Sequence, residues 1–252
     1  MSAAAALLLM AAAAAAPPTR VVSLNLCTDE YLLLTARRNQ IASISRLGAD
    51  AQESPLAVKA RGLATNNGRL GDVLALSPQL VLTMGHDPQA KALAARLGLK
   101  LVALPYPTSP ADVASQVRQV ANLVGNAPAG AAFAGTVAAL AATAPPARAG
   151  LMIGGSGLAP AMDGLAAGWL RLAGIRQQQS GQISLETLLV QPPAIIIRNV
   201  YRPGQRSLPQ AWSQHPALRQ LKSRQLEADG RAFLCGGAAM PAEILRLRKA
   251  LA

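Results

Sequence analysis

Aromatic side chains are scarce in this chain of 252 residues: two Trp, three Tyr and two Phe, 3% of the whole. So few rings cannot build the stacking platforms on which single-stranded nucleic acids lie. Acidic residues are also few, 12 against 24 Lys and Arg, which leaves a formal charge of +12. The basic residues are scattered rather than gathered into a stripe. The excess therefore reads as a solvated surface, or as a field that steers an anionic ligand or an acidic partner, and not as a nucleic-acid footprint. Histidine is limited to His86 and His215, and cysteine to Cys27 and Cys235. A site for a bare transition metal gathers several His, Cys or carboxylate ligands, so no metal site is assigned. No paired carboxylates and no nucleophile with a convincing His partner stand out, so no catalytic residue and no cofactor is assigned, and the chain reads as a non-enzyme. The turn Gly154-Gly155-Ser156-Gly157 lacks the Gly-Lys-Ser/Thr ending of a phosphate loop and the spacing of a dinucleotide fingerprint.

What is present is a large apolar fraction, 51%, with 14% charged residues, 21 Gly and 18 Pro. That is enough to bury a substantial core punctuated by tight turns. Residues 1–16 contain only Met, Ser, Ala and Leu, with an apolar run at Leu7 to Met10 and small residues at Ala14 to Ala16. This pattern is that of a secretory signal, although no Lys or Arg precedes the run, and the run is too short to span a bilayer. No other stretch reads as transmembrane. In an oxidising compartment Cys27 and Cys235 pair if the fold brings them together; otherwise they are two separate small buried residues. Cys27, with Leu26 before it, does not read as an acylation site.

Along the chain, strands alternate with helices. Strands are expected at Arg20–Leu24, Ile41–Ser45, Leu80–Thr83 and Lys100–Leu104, and then at Gly150–Ile153, Ala194–Ile197 and Arg231–Leu234. Helices are expected at Asp29–Arg37 (capped by Thr28 or Asp29), Gly71–Leu76, Pro88–Leu97, Met162–Ala173, Glu186–Val190, Pro216–Leu221 and Pro241–Ala250. Such alternation means α/β units with a mainly parallel sheet. Asp72–Leu82 and Thr187–Ile197 share one grammar, a short helix, a proline stop and a buried strand, so two lobes of similar construction follow. Between them Ser109 is a good N-cap and Pro110 suits a first turn. Val113, Val117, Val120 and Val124 recur at helical spacing, and after an interruption at Gly125–Pro128 an Ala-rich helix resumes to about Ala142. The organisation read from this is 1–16 signal, 17–108 first lobe, 109–143 linker helix and 144–252 second lobe.

Several motifs occur in a telling order: RVVSLNLCTDE at Arg20–Glu30, Asn66-Asn67-Gly68, LALSPQLVL at Leu74–Leu82, Ser184-Leu185-Glu186, His215-Pro216-Ala217-Leu218 and Cys235-Gly236-Gly237. In this the chain, from Arg20 to Ala252, resembles the helix-linked class of binding proteins of ABC importers, which carry ferric siderophores, haem or cobalamin. The resemblance implies two Rossmann-like α/β lobes with parallel-rich sheets, joined by a long α-helix, with a ligand cleft between them. It implies a monomeric periplasmic receptor for a metal chelate or corrinoid, partnered by an importer permease and not by nucleic acid. The competing readings are a metallocluster enzyme on the same lobes, which wants more than two cysteines, and a binding or sensory module without a transporter.

Ligands of open α/β sheets sit outside the carboxyl ends of the strands. The loops there nominate Asn25, Cys27, Thr28, Asn66, Asn67, Gly85, His86 and Tyr106 in the first lobe. In the second they nominate Ser156, Gly157, Leu158, Tyr201, Arg202 and Cys235. Asn, Ser and Thr give oriented hydrogen bonds, glycine admits a bulky ligand, and the tyrosines pack on a flat face. Arg202, with Arg198 and Arg206, suits carboxylate, catecholate or phosphate groups. His86 reads as a contact to a chelate and His215 as a helix cap. By the resemblance, one acid on each lobe meets arginines of the permease: Glu186 matches well, whereas the first-lobe match falls on Gly71, with Asp72 adjacent.

Overall fold

The computed structural model describes residues 16–202, 212 and 215–252. The expected signal lies almost wholly outside these residues, and Arg206 lies outside them too.

The first lobe is a sheet of β1 (Val21–Ser23), β2 (Ile41–Ser45), β3 (Thr65–Asn66), β4 (Leu80–Met84) and β5 (Leu101–Leu104). Its order is β3-β2-β1-β4-β5, and every pairing is parallel. Val21, Val22, Val81 and Leu82 are wholly buried, as expected of a parallel sheet covered on both faces. The second lobe pairs β6 (Arg148–Gly154), β8 (Ile175–Gln177), β10 (Ile195–Val200) and β11 (Arg224–Asp229) in the order β11-β10-β6-β8. These pairings are parallel too. A small antiparallel ribbon of β7 (Leu158–Ala159) and β9 (Gly181–Gln182) stands beside it. The fold class is therefore the expected one. The repeated grammar is visible as well: a 3₁₀ helix (Leu70–Leu76) leads into β4, and a helix at Leu185–Val190 leads into β10.

The helices in chain order are α1 (Leu26–Thr35), α2 (Arg46–Ala49), α3 (Ala57–Ala60), α4 (Pro88–Arg96), α5 (Pro110–Leu123) and α6 (Ala127–Ala142). They continue with α7 (Leu165–Leu172), α8 (Leu185–Val190), α9 (Pro216–Arg219), α10 (Gly230–Cys235) and α11 (Met240–Leu251). The linker segment holds two helices, divided where the sequence is interrupted at Gly125–Pro128. Its start is as read: Ser109 accepts from the Asp112 N–H, Asp112 reaches back to the Ser109 N–H, and Pro110 opens the helix. At Gly125, with φ of +74°, the chain turns back, and Gly130 of α6 lies against Arg118 and Ala121 of α5. The crossing is made by α6, about 24 Å long at 1.5 Å per residue. Its first turn is tied to the first lobe through Asn126 Nδ2 donating to Thr35 O. Its last turn is tied to the second through Arg248, which donates to Leu172 O and Leu140 O.

One hydrophobic core runs through both lobes, from Val21, Leu32 and Leu82 by way of Val117 and Val137 to Trp169, Phe233 and Ile244. A shared core means that the lobes are not independent bodies.

Two expectations about elements are corrected. Arg231–Leu234 is not the last strand but part of α10, because Asp229 caps the Arg231 N–H and Gly236 closes the helix in the left-handed region. The last strand is β11, a polar edge strand with Arg224 and Glu227 exposed. The first helix starts not at Asp29 but at Leu26, because Asn25 accepts from the Cys27 N–H and caps it.

Candidate functional site

All strands within each main sheet run parallel, so each lobe has one carboxyl edge. The segments that leave these edges touch one another. α1, which follows β1, meets α10, which follows β11, and Cys27 is disulfide-bonded to Cys235 across 208 residues of sequence. The connection after α2 meets the end of β10: Glu53 accepts from the Tyr201 hydroxyl and from the Arg202 guanidinium. Nearby, Arg231 Nη1 donates to Ala51 O at 2.7 Å. The two carboxyl edges thus face each other, and ligands of open α/β sheets in general bind outside such edges.

On the first lobe a recess of about 450 Å³ opens at this edge, lined by Asn25, Arg46, Leu47, Asp50, Asn67 and their neighbours. A second, of about 570 Å³, lies at the ends of β4 and β5 beside His86, Lys91 and Tyr106. Tyr106 is largely exposed and its ring covers Gly85, where φ is +84° and a Cβ would strike the ring. His86 is exposed too. On the second lobe the turn Gly154–Gly157 joins β6 to β7. Gly157, at φ +80°, leaves no room for a Cβ against Trp212 and Gln182, so glycine is required there. Ser156 is half-buried and gives its carbonyl to Gln182, while Leu158 is exposed. Gly154 to Gly157 is therefore a tight strand-to-strand turn and not a phosphate loop.

Several nominated residues are used up internally. Thr28 is wholly buried and bonded to Ser23 and Asn25 O, so it cannot reach a ligand in this arrangement. Cys235 is buried, and both cysteines are consumed by the disulfide. Asn66 is buried: its amide donates to Ser23 O and Ser43 Oγ and its carbonyl accepts from Gly68 N, a staple between strands. Asn25 spends its carbonyl on the cap of α1. Asn67, by contrast, is exposed on the recess. Arg198 is paired with Glu227. His215 is the cap it was read as, its Nδ1 accepting from the Ala217 N–H.

Electrostatically the seam between the lobes is uneven. Asp29 is buried, which pushes its carboxyl up to about 7 despite hydrogen bonds from Ser23 and Ser45. Glu30 is pushed up to about 8 by burial, with Asp29 and Asp229 adding repulsion. Neither of its oxygens has a partner among the described residues, and a Cβ on Gly237 would collide with one of them. Tyr201 is raised, first by burial and then by Asp50. Burial would also raise Asp229, but the hydrogen bonds and charge of Arg231 hold it below its ordinary value. Among the described residues no group of three or more His, Cys, Asp or Glu is placed to hold a metal ion, and no helix is long and apolar enough to cross a membrane.

Sequence reading missed Glu53, Arg46, Asp50 and Arg231. Glu53 carries one signal, an acid in a chain poor in acids, but its partners lie 148 and 149 residues away.

No protein-family model and no curated protein matches the sequence. Solved structures do. The periplasmic heme-binding protein HutB of Vibrio cholerae superposes with a TM-score of 0.71 at 18% identity, over 92% of this chain and 98% of that one. A periplasmic heme-binding protein of Pseudomonas aeruginosa gives 0.66 at 18% identity, over 92% of each chain. The periplasmic vitamin B12-binding protein BtuF of Vibrio cholerae gives 0.64 at 15% identity, over 93% of this chain and 97% of that one. With its paired parallel sheets and its crossing helix, the chain has the fold of these periplasmic binding proteins along nearly its whole length.

Proposed function

We propose that the chain is a periplasmic solute-binding protein that captures a metal chelate or a cobalamin and hands it to the permease of an ABC importer. The observation that carries this reading is the facing of the two carboxyl edges, with a recess on one and Tyr201 and Arg202 on the other. Such a site binds by shape and a few polar contacts and carries no catalytic constellation. Asn67, Tyr106, Leu158, Tyr201 and Arg202 are the contacts favoured by exposure or position, with Gly85, Ser156 and His86 at the flanks. The shared core and the disulfide favour a groove that is largely preformed. The fold of the heme-binding and B12-binding neighbours supports the ligand class, by analogy of fold.

Delivery needs a docking face. Asp72 and Glu186 are both exposed, each in the first turn of a helix on its own lobe. Their carboxylates also favour the positive end of the helix, and the Glu186 carboxyl is held low by backbone and Ser184 hydrogen bonds. We assign them to arginines of the permease.

The test is the absorbance spectrum of protein purified from its native host, followed by a thermal-shift panel of haem, cyanocobalamin and ferric siderophores. A co-purified chromophore, or a saturable shift with one member, is expected. A colourless protein that no member of the panel moves would overturn the ligand class.

A further inference from the structure

The contact between Glu53 and the second lobe has an unusual make-up. Glu53 sits in the connection between α2 and α3, outside any regular element. Even so, its side chain is only 9% exposed. Both of its oxygens are engaged across the lobe boundary, Oε2 with the Tyr201 hydroxyl and Oε1 with Arg202 Nη2. Removing a carboxylate from water is costly unless a good partner meets it, so the burial of this loop acid depends on Tyr201 and Arg202. The reverse does not hold. Arg202 is 39% exposed, and its guanidinium carbon is 5.8 Å from the Tyr201 ring centroid. A planar guanidinium with donors to spare, beside a phenol, accepts a second carboxylate in the geometry it offers the first. Ala51 and Gln52, before Glu53, are exposed and Ser54, after it, is buried, and no residue of this connection belongs to the shared core. Rotation of the Glu53 side chain alone therefore takes its carboxylate to solvent without unpacking a lobe.

We propose that Tyr201 and Arg202 form an anion subsite that Glu53 and an acidic group of the ligand occupy in turn. Glu53 is an internal competitor that sets the affinity for anionic ligands. This rests on the solute-binding reading and narrows it: the ligand class is a chelate bearing a carboxylate or an equivalent anion, and not a neutral corrinoid. A competitor of this kind rejects weak anions, because only a ligand with further contacts in the groove outbids a tethered carboxylate. The net charge of +12 supplies a field that draws such ligands.

The test is calorimetric titration of the oxidised protein at low ionic strength with citrate, ferric citrate and cyanocobalamin. The proteins are wild type, Glu53→Gln, and Glu53→Gln combined with Arg202→Gln. Glu53→Gln is expected to bind citrate and ferric citrate on the order of tenfold more tightly than wild type, and the added Arg202→Gln to abolish that gain. Cyanocobalamin, which offers no carboxylate to this subsite, is expected to gain nothing from Glu53→Gln. Equal citrate affinity in wild type and Glu53→Gln overturns the proposal, as does no citrate binding by either, or a gain that survives Arg202→Gln. Glu53→Asp, which keeps the charge but shortens its reach, is expected to give a smaller gain in the same direction and serves if Glu53→Gln does not fold. A citrate gain in a protein that binds no chelate leaves the subsite standing and removes the solute-binding reading; chelate binding without the gain does the opposite.

Discussion

Where α1 meets α10 the lobes are joined by a covalent bond, with half-buried Cys27 bonded to buried Cys235 and Glu30 buried beside Gly237. Where the connection after α2 meets the end of β10 and the start of α10 they are joined by hydrogen bonds and one ion pair, through Glu53, Tyr201, Arg202 and Arg231. The first seam cannot open without chemistry. The second opens whenever a better anion arrives or salt screens it. A groove with one fixed and one releasable seam suits capture and release with little change in the core.

The largest effect is expected from the fixed seam. Cys27→Ser removes a link across 208 residues, and loss of such a bond costs about 2–5 kcal/mol. Denaturant unfolding of wild type with and without reductant, beside the variant, checks this, and a reductant-sensitive wild type with an insensitive variant is the expected pair. Next comes pH. In the folded protein Asp29 and Glu30 are raised to about 7 and about 8, so between their ordinary values and these the native state holds more protons than the unfolded one. Stability therefore falls as pH rises from about 4 to 8, by up to about 1.4 kcal/mol per pH unit for each proton, and levels off above. Glu30→Gln is expected to flatten this profile, and stability curves across that range would show it. An unchanged slope would mean that Glu30 is not the titrating group.

At the releasable seam the effects are smaller. Arg231→Ala removes the bond to Ala51 O and the partner of Asp229, at a cost of about 1 kcal/mol, and added salt is expected to erase part of the difference. Smallest of all, Asp72→Ala and Glu186→Ala are expected to leave the melting temperature unchanged while weakening stimulation of the cognate transporter's ATPase in proteoliposomes. A melting shift without a loss of stimulation would make them helix-end residues only.

Much of this architecture is legible in one dimension. Strands β1, β4, β6 and β10 are short Val, Ile and Leu runs because both faces of their sheets are covered. The cap at Ser109 sits where its residue type says. What escapes is set by partners. β11 is a polar edge strand with no apolar run to betray it, and the apolar triplet Ala232-Phe233-Leu234 is too short to distinguish strand from helix without the cap at Asp229. The crossing by α6 depends on the turn at Gly125 and the close approach at Gly130, which spacing alone does not reveal. At the carboxyl edges the roles of single residues are less legible. Thr28 and Asn66 are polar residues at strand ends, but their bonds run inward to Ser23 and Ser43. Glu53 is invisible as a site residue until the fold brings Arg202 to it.

The most direct measurement follows absorbance and tryptophan fluorescence while the oxidised wild-type protein is titrated with haem, ferric citrate and cyanocobalamin, with free thiols assayed before and after. One saturable, one-to-one response with the Cys27–Cys235 bond intact is the expected result. No saturable response to any of the three, or a response that emerges only after that bond is reduced, would contradict a ligand groove closed by one fixed and one releasable seam.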